Sequence, residues 1–118
     1  MNKSNDSSLD HDTITYLKEA TEEMFIEIIE TFLSDTPVRL KLLNNALTNN
    51  DLTVLTEESH SIKGSSSNIG ALKLSALCSV IEKESRNNTI LNQAENVRLA
   101  IIEFDKVKSE LSMIISQQ

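Results

Sequence analysis

The side chain best placed to do chemistry in this sequence is His60, within Ser59-His60-Ser61-Ile62-Lys63-Gly64-Ser65-Ser66-Ser67-Asn68-Ile69-Gly70-Ala71. Read as a helix, this stretch gives His60 the neighbours Thr53, Thr56, Glu57, Lys63, Gly64 and Ser67 at positions three, four and seven residues away. None of these is apolar, so the imidazole is expected on an exposed or half-exposed face in mid-helix. A neutral imidazole with one nitrogen open to solvent is a good nucleophile near neutral pH. Lys63, one turn on, brings an ammonium towards any anion carried by the ring. Gly64, also one turn on, lacks the Cβ that would crowd it. An interior helical Gly costs ~1 kcal/mol relative to Ala, and this chain has only two glycines. Ser67 adds a small hydroxyl two turns along. The set describes a surface nucleophile with a cation beside it and room for a large reactant. Plainer readings of the same residues are a surface His, a solvated Lys, and a Gly that lets a neighbouring helix approach closely.

The elements that must position this set follow from the apolar spacing. Asn49-Asn50-Asp51 breaks the chain, and Asp51 is the expected N-cap of the helix that carries His60. That helix has Leu52, Leu55, Ile62 and Ile69 on its apolar side, with Ser59 and Ser66 filling the same stripe, and Gly70 where a C-terminal stop is expected. Upstream, residues 1–8 are polar and read as a flexible segment. Leu9-Asp10 then leads into a short helix with Ile14 and Leu17. Thr21-Glu22-Glu23 opens a longer one with Phe25, Ile28, Ile29, Phe32, Leu33, Leu40, Leu43 and Leu47 in one stripe of period 3.6. The stripe keeps its phase through Pro37, which predicts a kink there and not a reversal. Beyond Gly70 a fourth helix carries Leu74, Leu77, Cys78 and Ile81 and ends in Glu84–Asn88. A fifth starts near Thr89, with Ile90, Ala94, Val97, Ile101, Phe104, Val107, Leu111 and Ile114. The expected fold is all-α: an antiparallel four-helix bundle with a short additional N-terminal helix, forming a single domain over residues 9–118.

Composition narrows the function classes. A length of 118 residues suits one domain with one core. A net charge of -7 argues against nucleic acid or an anionic membrane as the main partner. Two Gly and one Pro are too few turn residues for a sheet protein. The lone Cys78 cannot form an internal disulfide and reads as a small core residue, which suits a reducing, cytoplasmic location. No apolar run reaches the ~18 residues of a membrane span, and MNKSNDSSLDHD lacks the apolar stretch of a secretory signal. There is no G-x-x-x-x-G-K loop for nucleotide phosphates and no nucleophile–base pattern of a triad hydrolase. His11, Cys78 and Glu57 do not converge as metal ligands. No cofactor-binding or metal-binding set is therefore expected. A bundle closed on itself leaves no obvious seam, so a monomer is expected, and the Met1 start with polar ends suggests a free-standing protein.

The string from Ser59 to Ala71 resembles the signature of histidine-containing phosphotransfer (HPt) domains: small-His-x-apolar-Lys-Gly-small-small-x-x-apolar-Gly-Ala. The usual Ala before the His is Ser59 here. The resemblance extends to Phe32-Leu33 with Pro37, the Asn50-Asp51 break, Leu74, Leu77, and Ile81-Glu82 followed by Arg86, and so covers about residues 9–110. Dimerising histidine-kinase helices have His-Glu and a nearby Pro, which Ser61-Ile62-Lys63-Gly64 does not match.

The resemblance implies that His60 is the phosphorylated residue, supported by Lys63, Gly64 and Ser67. It implies a relay station without kinase activity of its own, which takes a phosphoryl group from the aspartyl phosphate of one receiver domain and passes it to another. The partners would be receiver domains of a hybrid histidine kinase or a response regulator. Mg2+ would belong to the receiver. Apolar residues on the neighbouring long helix would complete the docking surface. The alternative is a helical adaptor of HPt-like fold that binds receiver or other signalling domains without obligatory phosphotransfer.

Overall fold

The computed structural model describes residues 7–89 and 91–118. Among them the chain forms α1 (His11–Thr21), a 3-10 turn (Glu22–Met24), α2 (Phe25–Thr48), α3 (Leu52–Asn68), α4 (Leu72–Arg86) and α5 (Gln93–Ser116), with no strand. Helix α3 packs on α4 and α2, and α5 closes the ring against both of them. With connections this short, successive helices run antiparallel, as expected for an up-down bundle. Helix α1 lies across one end, against the 3-10 turn and α2.

The core is apolar and continuous through all the helices, with Ile29, Leu43, Leu55, Ile62, Ile81 and Val107 wholly buried. Phe32 of α2 meets Phe104 of α5 with ring centroids 6.0 Å apart. Cys78 is a free, fully buried thiol, and burial pushes its pKa up to about 12. None of the described helices is long and apolar enough to cross a membrane.

The ends of α3 follow from sequence. Asp51 accepts a hydrogen bond from the Val54 backbone N–H at 3.1 Å, satisfying one of the donors that a helix start leaves free. At the other end the Ala71 N–H donates to the Ser66 carbonyl at 2.8 Å and the Gly70 N–H to the Ser67 carbonyl at 3.1 Å. That pair is a Schellman ending, and Gly70 supplies the left-handed residue at φ +85°. The glycine is needed a second time, because the N-terminal segment lies directly on it. The Asp10 N–H donates to the Gly70 carbonyl at 2.7 Å.

Several boundaries differ from the sequence expectation. Helix α2 continues through Pro37 as one helix without reversal, but opens at Phe25 and not at Thr21. Glu22, the first residue of the 3-10 turn, adopts φ 50° and so separates the two helices. Helix α5 begins at Gln93, not near Thr89, and Ile90 lies outside the described residues. Its inward face also differs. Gln93 is fully buried, donating to the Ile81 carbonyl and to Ser85 Oγ, while Ala94 and Ile101 are exposed. Of the segment expected to be flexible, residues 1–6 lie outside the described residues. Ser7 and Ser8 are tied down: the Ser7 hydroxyl donates to Glu110 Oε1 at 2.6 Å and the Ser8 N–H to Oε2 at 2.7 Å.

Candidate functional site

Midway along α3 the His60 side chain stands 61% exposed. Its position follows from the stripe: Leu55, Ser59, Ile62 and Ser66 turn inward, leaving the opposite face to solvent. The two buried serines of this stripe are small enough to bring α4 close. One of them, Ser59, returns its hydroxyl proton to the Leu55 carbonyl. This proximity lets an α4 side chain reach across to the exposed ring.

That side chain is Glu82. Its Oε2 lies 2.9 Å from His60 Nδ1 and 2.8 Å from Arg86 Nη2, and its Oε1 lies 2.7 Å from Lys63 Nζ. An ionised carboxylate only accepts hydrogen bonds, so Nδ1 is the protonated nitrogen of this contact. In the neutral ring the lone pair is then on Nε2. Glu82 itself is 6% exposed, and burial alone would raise its pKa. Hydrogen bonds from Lys63, Arg86 and His60 overcome that and bring it from its ordinary 4.5 down to about 2.

A lowered carboxylate pKa is a statement about stability. The contribution of Glu82 is fully present above its unfolded value of 4.5 and is lost as pH falls through about 2. The denaturation midpoints of wild type and Glu82→Gln are therefore expected to converge over that acid range. A gap that stays constant down to the lower limit would show that the charge of Glu82 adds nothing.

An open groove of about 710 Å3 runs from Leu52 and Thr56 past His60 and Ser61 to Ser85 and Arg86. On the other flank of α3, Arg39 of α2 bridges Asp35 and Glu58, at 2.8 and 2.9 Å. The exposed apolar residues Val38 and Leu42 flank Arg39 on α2. At Gly64 a Cβ would meet nothing within 4 Å. Close helix packing is therefore not the reason for this glycine. The space beside the ring is open.

Of the residues expected at the site, His60 and Lys63 converge on one carboxylate, and Gly64 lies on the open face beside them. Ser67 is not brought in. It is exposed two turns along, and among the described residues its hydroxyl reaches neither His60 nor Glu82. Its carbonyl serves the cap at Gly70. Sequence reasoning passed over Glu82 and Arg86 as site residues. A signal was present, because Glu82 is an acid four residues after the buried Cys78, on the inward side of α4, with Arg86 one turn further.

A family model for the Hpt domain matches residues 27–116. The chain belongs to the Hpt domain family. Solved structures agree with the match. This Hpt domain is similar to histidine-containing phosphotransfer protein B of Pseudomonas aeruginosa, at 28% identity and a TM-score of 0.91, over 94% of this chain and 96% of that one. It also shares its fold with the HPT domain of a sensor hybrid histidine kinase from Shewanella, at 21% identity and a TM-score of 0.81, with the same coverage. No curated protein sequence matches it. The bundle is thus that of a histidine phosphotransfer protein of two-component signalling.

Proposed function

We propose that this Hpt domain accepts a phosphoryl group on Nε2 of His60 from the aspartyl phosphate of a receiver domain and hands it to another receiver. The observation that carries the reading is the exposed ring whose Nδ1 is held by Glu82 at 2.9 Å. That contact leaves the lone pair on the nitrogen facing solvent, where a reactant can meet it. Nε2 attacks phosphorus, the bond to the aspartyl oxygen breaks, and the electron pair leaves with the receiver's carboxylate. Catalysis on this side is positioning. Glu82 orients the ring, Gly64 leaves clearance for the receiver, and Lys63 places positive charge one turn from the ring. Mg2+ belongs to the receiver in this reading, and supplies charge for the phosphoryl oxygens there. The domain acts as a relay intermediate without kinase activity, and Val38 and Leu42 beside the Arg39 bridge fit an apolar contact for a receiver.

The test is incubation with a phosphorylated receiver, followed by assay for a label on His60 that is labile in acid and stable in alkali. Gly64→Ala supplies a second check. With open space at the Cβ, Ala should stabilise α3 by about 0.5–1 kcal/mol. The same methyl group intrudes on the receiver's approach and should slow transfer several-fold. A stabilised variant that transfers at the wild-type rate would remove the clearance role of Gly64.

A further inference from the structure

The charges around His60 are sorted by sign across the ring. On the α4 side Lys63, Lys83 and Arg86 line a hollow of about 360 Å3 together with Ser79, Asn87 and Glu82. Three cations there face one carboxylate, which already holds Lys63 at 2.7 Å and Arg86 at 2.8 Å. Lys83 is exposed at the rim, and among the described residues no carboxylate pairs with it. Glu84, the next acid on α4, turns towards α5, where it accepts from the Asn96 amide.

Across the ring the balance reverses. A helix advances about 100° per residue, so Glu57 and Lys63, three residues before and three after His60, lie on opposite sides of it. Lys63 is on the side towards α4, so the exposed Glu57 is on the side away from it. Beyond Glu57, Glu58 and Asp35 share the guanidinium of Arg39, at 2.9 and 2.8 Å. Three carboxylates on this flank face one cation. The net charge of -7 governs the distant approach of a partner. At contact, within a Debye length of about 8–10 Å, the local pattern governs instead. A patch of one sign admits any partner of the opposite sign in many orientations. Two adjoining patches of opposite sign admit one orientation, and in-line attack by Nε2 on a partner's phosphoryl group requires one.

We infer that the charges flanking His60 form a two-signed docking face, with Lys83 and Glu57 as specificity-determining residues for a receiver domain that presents acid to α4 and base to the opposite flank. This rests on the phosphotransfer reading and adds to it the surface chemistry of the partner.

The experiment uses the receiver of the source organism that labels His60 fastest. It measures kcat/KM for transfer from that receiver's aspartyl phosphate to wild type, Lys83→Glu, Glu57→Lys and the double exchange, at about 50 mM and about 500 mM salt. Each single reversal should lower kcat/KM about tenfold at low salt, and the double exchange should lower it further. At high salt the differences should shrink to about twofold. The double exchange keeps the net charge at -7, so its loss comes from the pattern alone. A uniformly acidic partner would make Glu57→Lys faster, and a uniformly basic one would make Lys83→Glu faster. Either result, or rates equal to wild type, overturns the inference. Phosphoramidate needs no docking and should label His60 of Lys83→Glu at the wild-type rate. An equal loss with phosphoramidate would place the effect in the site and also overturn the inference. Should a reversal not fold, Lys83→Gln and Glu57→Gln replace it, with losses of about threefold in the same direction. A wild type that takes no label from any receiver is a different result, which brings down the phosphotransfer reading itself.

Discussion

His60→Gln protein, incubated with a phosphorylated receiver, is expected to carry no label above background, a loss of at least about a thousandfold. The amide nitrogen of glutamine has no lone pair available to attack phosphorus, and no other residue of the groove replaces one. Unfolding would not explain the loss. The His60 side chain is 61% exposed, and among the described residues its hydrogen bond goes to Glu82, to which a glutamine NH2 group can also donate. The thermal midpoint should therefore change little, as is usual for surface substitutions within about 0.5 kcal/mol. Equal labelling of the two proteins would move the modification to another residue. Absence of label from both, with binding to the receiver intact, would favour a helical adaptor.

Gly70→Ala should cost the fold a large part of its stability while leaving His60 and its partners untouched. At φ +85° an L-residue is strained by about 1–2 kcal/mol. The new Cβ would lie 2.9 Å from the Asp10 carbonyl oxygen and 3.1 Å from Thr13 Cβ. The oxygen belongs to backbone and cannot swing aside. Relief requires the segment around Asp10 to lift, giving up its 2.7 Å hydrogen bond to the Gly70 carbonyl, a further contribution of about 1 kcal/mol. The sum, about 2–3 kcal/mol, corresponds to a fall in thermal midpoint of about 10 °C for a domain of this size. In urea the midpoint should drop with little change in slope, since the same surface is exposed. A Gly70→Ala chain as stable as wild type would show that the segment over Gly70 is loosely held. The two glycines thus respond to the same substitution with opposite signs.

What could be read from sequence depended on whether polarity and burial agreed. Helices α2 to α4 were legible because their apolar stripes coincide with their buried faces, and Asp51 and Gly70 mark the ends of α3 by mechanisms that single residues carry. His60, Lys63 and Gly64 were legible because three polar or bare positions share one helical face. Gln93 shows the opposite case. Its amide satisfies the Ile81 carbonyl and Ser85 Oγ inside the bundle, so a polar residue begins the inward stripe of α5 and the apparent start moves to Thr89. Glu82 is hidden for a related reason. A carboxylate reads as solvated surface until the fold brings His60, Lys63 and Arg86 around it, and two of those three come from a different helix. Ser67 shares the face of His60 by spacing, but two turns of α3 are too far for a side chain as short as serine to bridge.

Cys78 has a practical consequence. With its thiol wholly buried and its pKa pushed up to about 12, it offers alkylating reagents almost no thiolate near neutral pH. The native chain is thus a blank background for site-directed labelling, with no need to remove its own cysteine. A single cysteine placed at Ser67, exposed and on the same face as His60, would accept a fluorophore at the rim of the docking surface. Receiver binding could then be timed separately from the chemistry it precedes.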